Sequence, residues 1–177
     1  MRTEFPFLFL RSGLRTFLCF LSIGIVMAAE VATYHGDGFR FVPPPDWVDA
    51  TTHFRAPDVV IVYANRERTR SVGVQLGRSG KPGVMDARFV DDYISGYLAT
   101  SKSKLLSHRL FELQGRRWLE FKTELSISGR TSRAIIWVCP LETGLLTVQA
   151  QALGETDPSS IREIAKCLKS LELGNPQ

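Results

Sequence analysis

The sequence predicts an α+β fold, in which a central antiparallel β-sheet is flanked by two main helices. Runs of alternating apolar and polar residues follow one another with very short turns. Strands joined so tightly must pair antiparallel, because a parallel crossover needs about a dozen residues. Two stretches with apolar residues at helical spacing lie at separate points of the chain, where they are available to cover the sheet. The length of 177 residues fits one such domain plus a targeting segment.

The first thirty residues are typical of a secretory signal peptide. Arg2, Arg11 and Arg15 precede an apolar run, Phe17–Ala29, which ends in small residues before Glu30. A basic region, a short apolar core and a small-residue exit are the three parts of such a leader. The run is also shorter than the roughly 20 apolar residues that span a membrane.

This leader predicts the domain organisation and the compartment. We expect a signal peptide over residues 1–29, an N-terminal linker over 30–37 and a single α+β domain over 38–173. The mature protein is then periplasmic or secreted. Two alternatives stay open: an uncleaved leader that anchors the protein, and a true start downstream of Met1.

The mature chain opens with three expected strands. Gly38–Val42 alternates apolar and polar residues and stops at a run of prolines, which cannot continue a ladder. Trp47 follows, and we expect it to fold back over the sheet edge. Val59–Tyr63 and Ser71–Leu76 are rich in β-branched residues and are predicted as strands. The glycines of residues 77–83 indicate a loop.

Asp86 is expected to cap the first helix. Its side chain can accept a hydrogen bond from the exposed amides of the first turn. The residues that follow place large apolar groups on one stripe of the helix. These are Phe89, Val90, Tyr93, Ile94, Tyr97 and Leu98.

Four strands and a second helix are predicted to complete the domain. The strands are expected over residues 105–114, 116–125, 134–139 and 145–153, with glycine-containing turns between them. Asp157 and Pro158 are an N-cap and a first helical residue. The apolar stripe of this last helix is Ile161, Ile164, Ala165, Leu168 and Leu171.

Three segments carry a resemblance to a known family. They are Gly38–Phe41 followed by prolines and Trp47, Gly115–Trp118 at the start of a long strand, and Leu168–Leu171 at the end of the last helix. Together they resemble the PsbP/Mog1-like fold, within it the exported bacterial DcrB-like or PsbP-related proteins, over roughly residues 36–173. The resemblance implies a sheet flanked by helices and a non-enzymatic role as an accessory subunit or partner-binding protein.

The charge balance argues against some partners. Lys and Arg number 22 and Asp and Glu 18, a net charge of +4. The leader holds three arginines and Glu4, so half of that excess belongs to it. An excess of two charges on the mature chain is too small to favour nucleic acid, and a membrane partner is expected only if the leader stays uncleaved.

Two cysteines remain after the leader, which contains Cys19, is removed. Cys139 ends a strand and Cys167 lies beside the apolar stripe of the last helix. In an oxidising compartment they either form a disulfide between helix and sheet or stay as separately buried thiols. Both alternatives are open at this point.

No catalytic, cofactor or metal site is predicted. The histidines His35, His53 and His108 match no zinc spacing. A hydrolase is the alternative function, and it requires distant residues such as His53, His108 and Asp58 to converge.

A basic cluster marks one expected hairpin end. Alternation would place Arg66, Arg68 and Arg70 on one face, where they either contact an anion or an acidic partner, or only solubilise the edge. The sequence therefore favours a non-catalytic extracytoplasmic binding or accessory protein for an envelope protein or small ligand. Its rivals are the hydrolase and a membrane-tethered interaction domain.

Overall fold

The computed structural model describes residues 32–34, 39–54, 58–78, 84–127, 129–142, 144–154 and 158–174. Within these residues ten strands and two α-helices follow one another along the chain. The strands are β1 Ala32–Tyr34, β2 Phe39–Phe41, β3 Val48–Asp49, β4 Val59–Ala64, β5 Arg70–Arg78, β6 Lys104–Leu113, β7 Arg116–Ile127, β8 Arg130–Pro140, β9 Gly144–Leu153 and β10 Glu172–Leu173. The helices are α1 Ala87–Ser101 and α2 Pro158–Lys169, and a short 3-10 helix covers Thr51–His53.

A seven-stranded antiparallel sheet forms the centre of the domain. Its strand order is β3-β4-β5-β9-β8-β7-β6, and β1, β2 and β10 form a small second sheet. As the predicted tight turns require, β6 pairs antiparallel with β7, β7 with β8 and β8 with β9. The strand β9 pairs with β5 across the centre, which joins the N-terminal and C-terminal halves of the chain.

One face of the sheet packs against α2. Adjacent residues of a strand face opposite sides, so the buried residues of each strand divide into two sets. Trp118, Trp137 and Val148 belong to one cluster with Ile164 and Leu168 of α2. Phe39, Phe41 and Trp47 also belong to this cluster, so Trp47 is buried against the sheet.

Part of the opposite face packs against α1. Val90, Ile94 and Tyr97 contact a cluster that contains Phe121 and Ile136. Tyr97 and Phe121 meet edge to face, with 5.0 Å between their ring centroids. Asp86 accepts a hydrogen bond of 2.7 Å from the Phe89 amide, as the N-cap prediction requires. Each helix therefore covers part of one sheet face.

The sequence analysis does not predict several short strands. The strands β1, β3 and β10 have two or three residues each, too few for a period-two pattern. The strand β1 lies inside the segment 30–37 that was predicted as a linker, and it pairs with β2. The predicted signal peptide, residues 1–29, lies outside the described residues, as do His35 and the cap residue Asp157.

Candidate functional site

The turn between β4 and β5 carries the predicted arginine cluster. Asn65 is buried and its side chain holds the turn: Oδ1 accepts from the Arg70 amide at 2.9 Å, and Nδ2 donates to Glu67 and Thr69. The backbone closes with a bond of 2.9 Å from the Arg68 amide to the Asn65 carbonyl. Arg68 has a φ of 55°, in the left-handed region that turns use.

The structure gives the three arginines different surroundings. Arg70 lies on the α2 side and its Nη1 donates to Glu163 Oε2 at 2.7 Å, so it joins the hairpin to α2. Arg68 Nη2 lies 3.4 Å from His53 Nε2, and Arg66 is exposed. Because Arg66 and Arg68 lie in a turn, strand alternation does not place the three on one face. A contact with an anion or acidic partner stays a prediction, and Arg66 and Arg68 are its candidates.

A buried carboxylate, which the sequence analysis missed, lies on the α2 face between β6 and β8. Glu120 is 8 % exposed. It accepts hydrogen bonds from Arg109 Nε at 2.9 Å, Arg109 Nη2 at 3.2 Å and Trp137 Nε1 at 2.9 Å. Lys122 Nζ is 3.9 Å away. The three hydrogen bonds fill three of the roughly four acceptor positions of the carboxylate, so both of its oxygens are engaged within the fold.

These partners fix the ionisation of Glu120. Burial alone would raise the pKa of its carboxyl, but the hydrogen bonds from Arg109 and Trp137 outweigh that effect and hold the pKa below its usual value. A general acid or base needs the opposite arrangement, with a pKa moved towards neutrality. The chemistry of Glu120 is therefore structural: its carboxylate orients Arg109 and Trp137.

An aromatic cluster surrounds this ion pair. The ring centroid of Phe111 lies 4.9 Å from that of Trp137 and 6.3 Å from that of Trp118. The guanidinium carbon of Arg109 lies 5.5 Å from the Phe111 ring centroid, within cation–π range. The ion pair and the aromatic rings together support the end of the sheet formed by β6, β7 and β8.

The residues of the hydrolase alternative do not converge. His53 ends the 3-10 helix before β4 and Asp58 directly precedes β4, whereas His108 lies on β6 at the opposite edge of the sheet. Five strand spacings separate β4 from β6, which is about 24 Å. These three residues therefore cannot form one active site.

The two mature-chain cysteines are free thiols in the structure, and both are buried in the cluster beneath α2. Burial raises the pKa of Cys139 to about 11 and that of Cys167 to about 12. Neither thiol is therefore an activated nucleophile. The disulfide of the sequence analysis stays a prediction, with the free thiols as its alternative.

Two features are absent from the described part of the chain. No three His, Cys, Asp or Glu side chains in it are placed to hold a metal ion. Within the same part, neither helix is long and apolar enough to cross a membrane.

The C-terminal strand closes over the β6–β7 turn. Gln114 donates from Nε2 to the Leu171 carbonyl at 2.9 Å, and its Oε1 accepts from the Leu173 amide at 2.8 Å. An open, polar depression lies here, lined by Gln114, Arg116, Glu172, Leu173 and Gly174. Gln114 is already bonded to the Leu173 backbone, and Glu172 and Gly174 are exposed, so the depression is a surface feature without convergent chemistry.

Comparison with solved structures shows that the chain has a PsbP/Mog1-like fold. The cyanobacterial PsbP protein CyanoP from Synechocystis aligns with a TM-score of 0.60 at 15 % identity, over 86 % of this chain and 98 % of its own. The Ran-binding protein Mog1p from Saccharomyces cerevisiae aligns with a TM-score of 0.56 at 16 % identity, over 84 % of this chain and 97 % of its own. No protein-family model and no curated protein sequence matches the chain. The predicted PsbP/Mog1-like fold and its central antiparallel sheet are thus confirmed, while the DcrB-like branch stays a prediction.

Proposed function

We propose that the chain is a non-catalytic extracytoplasmic binding or accessory protein whose partner is another protein of the cell envelope. One observation carries the proposal: the fold extends over nearly the whole length of Mog1p, a Ran-binding protein. At this level of identity the likeness concerns fold, so it supports a binding role without naming a partner. The export step rests on the leader of residues 1–29.

The arrangement of ionisable groups supports the same proposal. Glu120, which is buried, is held as an anion by Arg109 and Trp137 and is not poised for proton transfer. His53 and Asp58 of the hydrolase alternative lie near one edge of the sheet, whereas His108 lies at the opposite edge. Binding through a surface needs neither a convergent site nor a perturbed pKa.

The turn between β4 and β5 is the surface that we assign to the partner. Asn65 fixes the turn through its own hydrogen bonds, so Arg66 and Arg68 are presented on a rigid support. Arg66 is exposed and Arg68 is partly exposed, so a partner at this turn can contact both guanidinium groups. Two guanidinium groups at a tip suit an acidic surface patch, to which Arg binds in a bidentate manner.

Affinity capture tests this assignment. The tagged full-length chain is used to recover partners from envelope extracts, alongside Arg66→Glu/Arg68→Glu. The control is Arg88→Glu, which reverses a charge at a site on α1 that is 90 % exposed. A partner that is recovered with the wild type and with Arg88→Glu, but lost with the double variant, supports the proposal. Equal recovery in all three overturns the surface assignment.

Localisation is tested separately. Fractionation followed by N-terminal sequencing is expected to find a soluble extracytoplasmic chain that starts near Ala29 or Glu30. An extracytoplasmic chain that keeps Met1 and sediments with membranes would instead support the tethered interaction domain. Soluble cytoplasmic protein with Met1 intact would contradict export altogether.

A further inference from the structure

The strand β6 lies at the edge of the sheet that the described residues form. It is the last strand in the order of the seven-stranded sheet, and among the described residues it pairs only with β7. The strand at the other end of the sheet, β3, has only two residues, whereas β6 has ten. An edge strand presents unpaired amide and carbonyl groups, and natural proteins shorten, bend or charge such edges to prevent pairing.

Only one half of β6 is interrupted by a bulge. A bulge between Leu105 and Ser107 interrupts the register, and Leu106 is 46 % exposed there. From Ser107 to Leu113 the pairing with β7 is regular, with no bulge and no proline. Seven consecutive residues therefore keep a straight edge that a further strand can join.

The residues of this half are complementary to themselves. When two copies pair antiparallel about a two-fold axis normal to the sheet, residues on one face meet residues on the same face. An axis through Leu110 places Leu110 opposite its own copy and His108 opposite Glu112 of the second copy. His108 and Glu112 are both exposed and lie on the α1 side with the half-buried Leu110. The pairing thus combines an apolar centre with an imidazole and a carboxylate on each side of it.

The other face of β6 is compatible with the same axis. Here Arg109 would face Phe111 of the second copy, a pairing that already exists within one chain at 5.5 Å. The guanidinium of Arg109 is bonded to Glu120, so the axis does not bring two uncompensated cations together. Pairing centred on Arg109 would instead place Arg109 opposite itself.

We infer that this protein forms a two-fold dimer in which residues Ser107–Leu113 of β6 pair with the same residues of a second copy, in the register centred on Leu110. The two sheets become one continuous fourteen-stranded sheet. The dimer does not depend on the proposed partner surface, because the turn after β4 lies near the opposite edge of each sheet.

Site-directed cross-linking tests the register. All variants carry Cys19→Ser in the full-length chain and are oxidised with copper–phenanthroline. Directly opposite residues have Cβ atoms about 4.5–5.5 Å apart, so Leu110→Cys is expected to give a covalent dimer. Ser95→Cys, exposed on α1, is the matched control and is expected to stay monomeric. Equal amounts of dimer from both variants would overturn the proposal.

Leu110 is half-buried, so Leu110→Cys can destabilise the fold. A cross-link between two different exposed positions tests the same register without that complication. His108→Cys and Glu112→Cys change exposed side chains only. In the proposed register each is expected to cross-link poorly with itself and well with the other. Mixing the two purified chains should therefore increase the dimer yield, whereas an unchanged yield on mixing contradicts the register.

Charge exchange provides an independent measurement of the dimer. The variant His108→Glu places a glutamate opposite Glu112 at both symmetry-related positions of the dimer. This like-charge repulsion is expected to weaken dimerisation about tenfold, measured by sedimentation equilibrium. Adding Glu112→Lys restores an opposite-charge pair and is expected to restore the dimer. Arg66→Glu, on the far side of the sheet, should leave the association constant unchanged. A monomeric wild type, or no effect of His108→Glu, overturns the inference.

Discussion

The Arg109 guanidinium donates two hydrogen bonds to the Glu120 carboxylate, from Nε at 2.9 Å and from Nη2 at 3.2 Å. The two residues are direct partners in the β6–β7 register, five positions on either side of the turn at Gln114 and Gly115. Their pairing follows from the turn itself, since its length decides which residues of a hairpin face each other. The third donor, Trp137, comes from β8 on the other side of β7.

We predict that Glu120→Ala lowers the free energy of unfolding by about 2–3 kcal/mol, because it leaves the buried Trp137 donor and the Arg109 guanidinium without their acceptor. The figure lies below that for a fully buried pair, because 64 % of the Arg109 side chain is exposed and solvent screens it. Glu124→Ala on the same strand is the control. Its carboxylate, which pairs with Arg133, is more exposed than that of Glu120, so about 0.5 kcal/mol is expected. Urea unfolding measures both, and equal losses would contradict the prediction.

The same carboxylate predicts a pH dependence of stability. The folded-state pKa of Glu120 is held below its usual value by Arg109 and Trp137, so folding favours the ionised form. Its contribution is fully present above the unfolded-state pKa and is lost as the pH falls through the folded-state pKa. The difference in free energy of unfolding between wild type and Glu120→Gln should therefore be largest at pH 7 and shrink below about pH 4. A difference that is constant from pH 7 to pH 3 would count against this role.

The contrast between Glu120 and β9 shows what periodicity can and cannot predict. Along β9, the alternation of Leu146, Val148 and Ala150 with polar residues predicts which side faces the core, and these residues are buried as expected. Glu120 occupies a polar position in the alternation of β7, where an exposed side chain is expected. Hydropathy alone therefore does not predict that it is buried. The available signal was the turn at Gly115, which pairs Glu120 with Arg109 once the register is counted.

The prediction that Arg66, Arg68 and Arg70 share one face is wrong for a different reason. Strand alternation does not extend through these residues, because Asn65 folds the chain into a turn that ends it. The short strands β1, β3 and β10 depend on tertiary pairing and not on a local pattern. Long, periodic elements were therefore predictable, while turns and two-residue strands depended on contacts between distant parts of the chain.

The capping prediction for α1 is directly testable. Asp86 Oδ1 accepts from the Phe89 amide at 2.7 Å, and an N-cap of this kind contributes about 1 kcal/mol. Asp86→Ala should lower the free energy of unfolding by that amount. Asp86→Asn, which keeps an acceptor, should retain most of the stability. The exposed Asp91, one turn further on, provides the control Asp91→Ala, and an equal loss there would attribute the effect to charge and not to capping.

The thiols of Cys139 and Cys167 predict a reactivity pattern that also decides the disulfide question. Both are buried, and their pKa values are raised to about 11 and about 12, so almost none of either is thiolate at neutral pH. In the folded protein, iodoacetamide should modify neither at an appreciable rate, and unfolding in urea without a reductant should expose both. Mass spectrometry of Cys19→Ser protein counts the modified thiols directly. Modification only after a reductant is added would show that the two cysteines are bridged. Rapid modification of the folded protein would instead contradict the burial of Cys139 and Cys167 beneath α2.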